Sequence, residues 1–300
     1  MKPAGLALVA MLAVAASARA QDQDSGEILA RVVAVQPPAW LLHSGSRGAV
    51  RPGVALVAGD MLETGADGRV HFEAAEGSTV KLGEQAKLEL PELHLVPAPQ
   101  QPRGLYKATL HVLKGAFRFT TALLDKARGR DISLQVGNTI TSGIRGTDVW
   151  LKADEQQDLL CLIDGRVEIG GANPLVMDQP RTFYVVLRGQ PPQKVVPVPD
   201  GKFEQWFPQT DLKPGEPALY ADGRWAVALV SYATRAEADS QVGELSERGF
   251  PAEVRPATVR GTPRYRVAIP GLRSGADARR FVGLLRSRYG YKTGWILKPG

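Results

Sequence analysis

The sequence predicts a multidomain protein: an N-terminal all-β domain of the sandwich or jelly-roll kind, then a C-terminal α+β domain of split βαββαβ order. Three observations carry this. From residue 26 to 187 short runs of Val, Leu, Ile and Phe alternate with Gly-Asp, Asp-Gly and Gly-Ser turns. Residues 188–222 are dense in proline, which stiffens a chain and blocks both ladder and helix. Residues 223–298 spell strand, helix, strand twice over.

In chain order, residues 1–20 read as a signal peptide. Lys2 supplies the positive start, the apolar run is too short to span a bilayer, and Ala18-Arg19-Ala20 fits the small-x-small cleavage rule, so the mature chain is expected to begin at Gln21. No later stretch reaches transmembrane length, so no integral membrane span is expected in the mature chain. The single cysteine, Cys161, cannot form an intramolecular disulfide and sits in the apolar run DLLCLIDG, where it reads as a small core hydrophobe rather than a nucleophile.

Residues 21–187 form the expected β-domain. The runs RVVAV, GVALV, RVHFEA, KLELPELHLV, YKATLHVLKGAFRFTT, ISLQV, DVWLKA, DLLCLIDGRVEIG and TFYVVL all read as strands, and only 123–127 has room for a helical turn. Gly143 and Gly146 around Ile144-Arg145 read as a tight turn between strands, with Thr147 and Asp148 hydrogen-bonding that turn. The opening GDMLETG, the Gly-Ser hairpin, LKGAFRF, the Gly146-Thr147-Asp148-Val149 segment and the closing LIDGRVEIG together resemble a FecR-type domain. That resemblance implies an extracytoplasmic β-domain that meets an envelope protein or a polysaccharide. The signalling helix of the family's founding members has no counterpart here.

Residues 188–222 are expected to be an extended, semi-rigid linker between independently folding halves, with Trp206 and Phe207 either docking it on the β-domain or forming a small partner motif.

Residues 223–300 form the second domain. RWAVALVS alternates Trp225, Val227 and Leu229 as a strand with one buried face. Thr234 then caps a helix with Glu237 three residues on, Ala238, Val242 and Leu245 on its apolar stripe, and Gly249 as its stop. A hairpin turns at Gly261-Thr262-Pro263, and in its second strand Tyr265, Val267 and Ile269 form the core set, turning Arg264, Arg266 and Ala268 outward. Ser274 caps a second helix carrying Ala278, Phe281, Leu284 and Leu285, and YKTGWILK closes the sheet with Trp295 outward. A sheet with both helices on one side leaves its other face open, and a Trp beside two Arg there is a platform for a flat polar ligand.

The aromatic-Val strand ending Ser231-Tyr232, the TRAEA helix start, Leu245 with Gly249, and Tyr265-Arg266-Val267-Ala268-Ile269 together resemble a SPOR domain. The resemblance implies binding of peptidoglycan, with preference for glycan stripped of stem peptides, often at the division septum. It places the contacts on the outward face, at Ala228, Ser231, Arg264, Arg266 and Trp295. This chain departs from the family at Ala228, where many members carry Gln, and at Pro270-Gly271, where most read Gly-Pro.

Charge agrees with an anionic or polar target for this half. Residues 223–300 hold 14 Lys and Arg against 6 Asp and Glu, whereas 21–222 hold 21 against 25. Export removes nucleic acid as a partner and leaves the wall. His43, His71, His94 and His111 lie on separate strands or loops, and no metal-binding or nucleophile-elbow spacing occurs, so neither catalytic residue, metal nor cofactor is expected. The expectation is a periplasmic, non-enzymatic adaptor of the cell envelope, serving cell division where it follows the family to the septum. It would hold peptidoglycan through residues 223–300 and present the β-domain to a further envelope partner. Two alternatives stand beside it: a wall-modifying hydrolase with its site in the β-domain, and an envelope-sensing regulator.

Overall fold

The computed structural model describes residues 27–121, 129–144, 146–170 and 174–299. The expected signal peptide, the turn at 123–127 and Arg145 lie outside the described residues.

The first domain is a sandwich of two sheets that share one strand. Gln101–Thr120 pairs early on with Lys87–Ala98 and, in parallel, with Gly129–Val136; its last residues pair with Thr79–Leu82 and Asp148–Ala153 in the opposite sheet. The bend between the two halves falls at Gly115, whose φ is +85° and where a Cβ would lie 2.6 Å from Ala86 Cα. From the second half, Asp148–Ala153, Gln157–Asp164 and Thr182–Leu187 continue one sheet by antiparallel pairing. Inward residues of both sheets, among them Leu62, Leu88, Phe117, Phe119, Leu134 and Leu151, make a single core.

The proline-rich segment is not the extended linker that its composition predicts. It is a strap packed along the first domain. Val196–Pro197 adds to Thr182–Leu187, and Leu219–Tyr220 adds to Ala30–Gln36. Between them lies the short helix Lys202–Trp206. Trp206 stacks on Trp150 with ring centroids 5.1 Å apart and 2° between planes, Phe183 meets its edge, and Phe203 is buried. Proline removes regular hydrogen bonding, but it does not remove the aromatic area that glues this segment down. Cys161 is fully buried in the same cluster, and burial pushes its thiol up to about 12, which keeps it a packing residue. Further on, His71 Nε2 meets Thr210 O at 2.9 Å, and Lys81 pairs with Asp211 at 2.6 Å.

The second domain comprises β1 (Trp225–Tyr232), α1 (Arg235–Glu247), β2 (Glu253–Val259), β3 (Thr262–Leu272), α2 (Gly275–Tyr289) and β4 (Trp295–Leu297), with sheet order β2-β3-β1-β4, antiparallel throughout. Local chemistry starts each helix as the sequence predicts. Thr234 and Glu237 form a reciprocal capping box, Ser274 accepts from Asp277 N–H, and Gly290 ends α2 at φ +73°. The core holds Val227, Leu229, Val267, Ile269, Ala238, Leu245, Ala278, Phe281 and Leu285, with Tyr265 and Val242 packed against it.

The two domains are in contact rather than held apart. α1 ends on the first domain's edge: Ala39 N–H donates to Gly249 O at 3.1 Å, Trp40 Nε1 donates to Glu247 O at 3.0 Å, and Ala49 N–H donates to Ser246 Oγ at 2.9 Å. Gly249 has a φ of +80°, and a Cβ there would lie 2.8 Å from both Ala39 N and the Trp40 ring. From α2, Arg288 forms a double hydrogen bond to Glu216 at 2.6 and 3.0 Å, and Tyr289 OH donates to Pro37 O at 3.4 Å. Linker composition carries no signal for such a complementary surface between the domains.

Two outcomes follow. Gly249→Ala meets both a left-handed backbone and a closed contact, so it should lower unfolding stability by about 2–3 kcal/mol in a urea titration; an unchanged midpoint would contradict the contact. His71 is held down at about 4, chiefly by burial, whereas in the unfolded chain it titrates near 6.5. The unfolded chain therefore binds the extra proton between those values, and stability falls as pH drops from about 6.5 through 4. Relative to a His71→Gln variant, which keeps an N–H for Thr210 O, the protein should lose about 2 kcal/mol between pH 7 and pH 4.5.

Candidate functional site

The sheet face turned away from α1 and α2 is set by register. Across β1, β3 and β2, Ser231 lies opposite Arg266, which lies opposite Arg255. Simple alternation from Val227 and Leu229 would put Ser231 on the core side. A bulge between Ala228 and Val230 adds Val230 to the core side and returns Ser231 to the open face. Beside this row runs a second one, from Trp295 on β4 through Ala228 and Ala268 to Glu253 on β2.

Of the residues expected here, Arg264, Arg266 and Ser231 lie on this face, as does Trp295, which is 37% exposed. Ala228 corrects the expectation. It is fully buried in a small cluster with Ala226 and Ala268, against which Leu297 packs, so it is a base beneath the face rather than a contact. Small side chains in the centre of a sheet let larger neighbours close over them. The alternation that identified the outward residues carried no measure of that.

Two polar groups on the face are without protein partners. Ser231 Oγ is buried and finds no hydrogen bond among the described residues, and Arg266 has neither a hydrogen bond nor an ion pair there. By contrast Arg255 Nε, one strand over, is satisfied by Glu253 Oε1 at 2.7 Å. Arg264 lies near enough to Glu237 to help hold that carboxyl below the usual range, behind the larger effects of the Thr234 hydrogen bonds.

Residues 221–298 match the family model for the SPOR domain, and residues 60–168 match that for FecR protein. The chain carries a FecR domain followed by a SPOR domain. Both are domain types of the cell envelope, and the SPOR domain supports peptidoglycan binding. Two crystal structures from Parabacteroides distasonis, described as a candidate anti-sigma factor and determined at 1.65 and 2.50 Å, align over 80% of this chain and 99% of theirs, at 12% identity and a TM-score of 0.37. No curated protein matches the chain.

Within the FecR domain, the Gly-Thr-Asp segment is a structural knot. Gly146 has φ +69°, and Thr147 exchanges two 2.8 Å hydrogen bonds with Thr121 and donates a third to Arg166 O at 3.1 Å. Asp148 does not bond its own turn as expected. It takes Arg118 through two bonds of 3.0 and 2.6 Å and Thr120 Oγ1 at 3.0 Å, tying neighbouring strands together. That hydrogen bonding raises the Arg118 guanidinium further above its usual value. The four histidines stay apart, each with its own partner: Asp60 for His43, Thr210 O for His71, Glu92 for His94, Gly137 O for His111. Among the described residues no group of three His, Cys, Asp or Glu could hold a metal, and no helix is long and apolar enough to cross a membrane.

A buried hydroxyl without a partner costs about 1–3 kcal/mol. Ser231→Ala should therefore leave the unfolding midpoint unchanged or raise stability by about 1 kcal/mol. A loss of stability in the same urea titration would show that Ser231 Oγ is satisfied within the fold.

Proposed function

We propose that the protein is an exported, non-enzymatic adaptor of the periplasm that grips peptidoglycan glycan strands with the open face of its SPOR domain. The FecR domain would be presented to a further envelope protein or polysaccharide. The observation that carries the reading is Arg266, half-buried on the outward sheet face and without a hydrogen bond or ion pair among the described residues, in register with Ser231 and close to the exposed Trp295. Glycan stripped of stem peptides is nearly neutral. It offers hydroxyls, which Arg266 can bond, and apolar C–H faces, on which an indole can stack. The signal peptide, the septal location and the absence of catalysis are parts of this reading, supported by the sequence at 1–20 and by the envelope character of both domain types.

Basic charge alone would favour carboxylate-rich wall carrying stem peptides, so the two explanations separate in salt. At 1 M salt screening shortens to about 3 Å, and stacking with short hydrogen bonds should survive it. In co-sedimentation with purified sacculi, Trp295→Ala and Arg266→Ala should each weaken binding by about 1–2 kcal/mol. The doubly changed Arg279→Ala, Arg280→Ala variant, on the exposed side of α2, should bind as the parent does. Binding abolished by 1 M salt, or weakened more by the helix pair than by Trp295→Ala, would make the protein a nonspecific polycation for the wall. Release of muropeptides from the same sacculi would overturn the non-enzymatic part.

A further inference from the structure

The row that begins at Trp295 ends at Glu253, on the far edge of the SPOR sheet, and there the FecR side of the molecule joins the surface. A pocket of about 230 Å³ opens between the domains, lined by Arg51 and Pro52 from the first domain, Tyr220 and Ala221 from the strap, and Glu253 and Pro270 from the sheet. At about 30 Å³ per water this is the room of roughly eight waters, enough for one sugar ring with a substituent.

Its walls are fixed from both sides. Tyr220 belongs to the strap strand paired with Ala30–Gln36, and the Arg273 guanidinium lies 3.6 Å from its ring centroid, itself held by Asp222 at 3.0 and 3.2 Å. Glu253 has one oxygen on Arg255 at 2.7 Å and the other 3.8 Å from Arg51. Arg51 is anchored in turn by a hydrogen bond to Ala252 O. Arg266 and Arg255 are register neighbours on the open face, and Glu253 lies between Arg255 and Arg51, so charged side chains lead from that face to the domain boundary.

Glycine keeps the pocket's inner end open. A Cβ on Gly223 would lie 2.0 Å from Gly271 O, and Gly271 has φ +100°. Gly271, near the end of β3, lines the pocket.

We propose that a glycan strand lying on the open face continues into this pocket, so that Arg51 and Tyr220 belong to one composite saccharide site spanning both domains. The proposal rests on the reading that the open face binds glycan. Its chemistry selects a neutral, hydroxyl- or amide-bearing ring: Arg51 donates and Glu253 accepts side by side, an arrangement that meets both ends of a hydroxyl or amide. An anionic phosphate would meet the Glu253 carboxylate and be repelled.

The test uses the full-length chain and purified sacculi treated with an amidase to strip stem peptides. Arg51→Ala removes the donor, and Ala221→Trp fills the pocket while leaving Arg51, its anchor and the open face as they are. Each should weaken binding about tenfold, the size of one lost hydrogen-bonded or stacked contact, with thermal unfolding checked for both. If neither variant changes binding while Trp295→Ala abolishes it, the composite site is wrong and the open-face reading stands. If Arg51→Ala weakens binding and Ala221→Trp does not, Arg51 acts through domain docking and the composite site is again wrong. If the parent chain does not bind stripped sacculi at all, the open-face reading itself fails.

Discussion

The orientation of the SPOR domain's open sheet face depends on where α1 stops. Gly249 takes a left-handed backbone that ends the helix and, at the same residue, brings its carbonyl to Ala39 N–H and its bare Cα against Trp40. One residue without a side chain serves both as stop signal and as the point of contact between domains. Because the FecR domain takes the helix ends, the SPOR sheet is left turned outward. The strap enforces the same arrangement from the other side, since Trp206 on Trp150 and Leu219–Tyr220 on Ala30–Gln36 bring the chain to β1 along a fixed course. An open sheet face on a free tether would be a binding head that searches; on this frame it has a set orientation relative to the FecR domain.

Much of this was legible in the sequence, and the reason is local. Capping residues, period-two alternation and glycine stops act within a few residues of themselves, so Thr234 with Glu237, Ser274, Gly290 and the core set Tyr265, Val267, Ile269 all stand where their chemistry places them. The outward residues Arg264, Arg266 and Trp295 follow from the same alternation. What failed was non-local. The bulge after Ala228 has no signature in the strand itself, the burial of Ala228 depends on Leu297 crossing from another strand, and Asp148 finds Arg118 thirty residues away. Proline density suggested an extended segment and carried no signal for its packing along the first domain, whereas Trp206 and Phe207 marked the place where it docks.

The surface chemistry gives the two halves different tasks. In the FecR domain the signature Gly-Thr-Asp segment is consumed by the fold: its hydroxyl and carboxylate are all satisfied by neighbouring strands. In the SPOR domain the open face holds a buried Ser231 Oγ with no hydrogen bond among the described residues, beside the half-buried Arg266. A half-buried arginine beside an exposed Trp is the chemistry that the proposed saccharide-binding face calls for.

The most direct measurement is a ¹⁵N-resolved NMR titration of the full-length chain with soluble, stem-peptide-free glycan at high salt. The account predicts that the Trp295 indole N–H, the Ser231 amide and the Arg266 resonances shift together and saturably, while amides of α1 and α2 stay in place. Shifts confined to the helices, or a response that disappears when salt is raised, would contradict it.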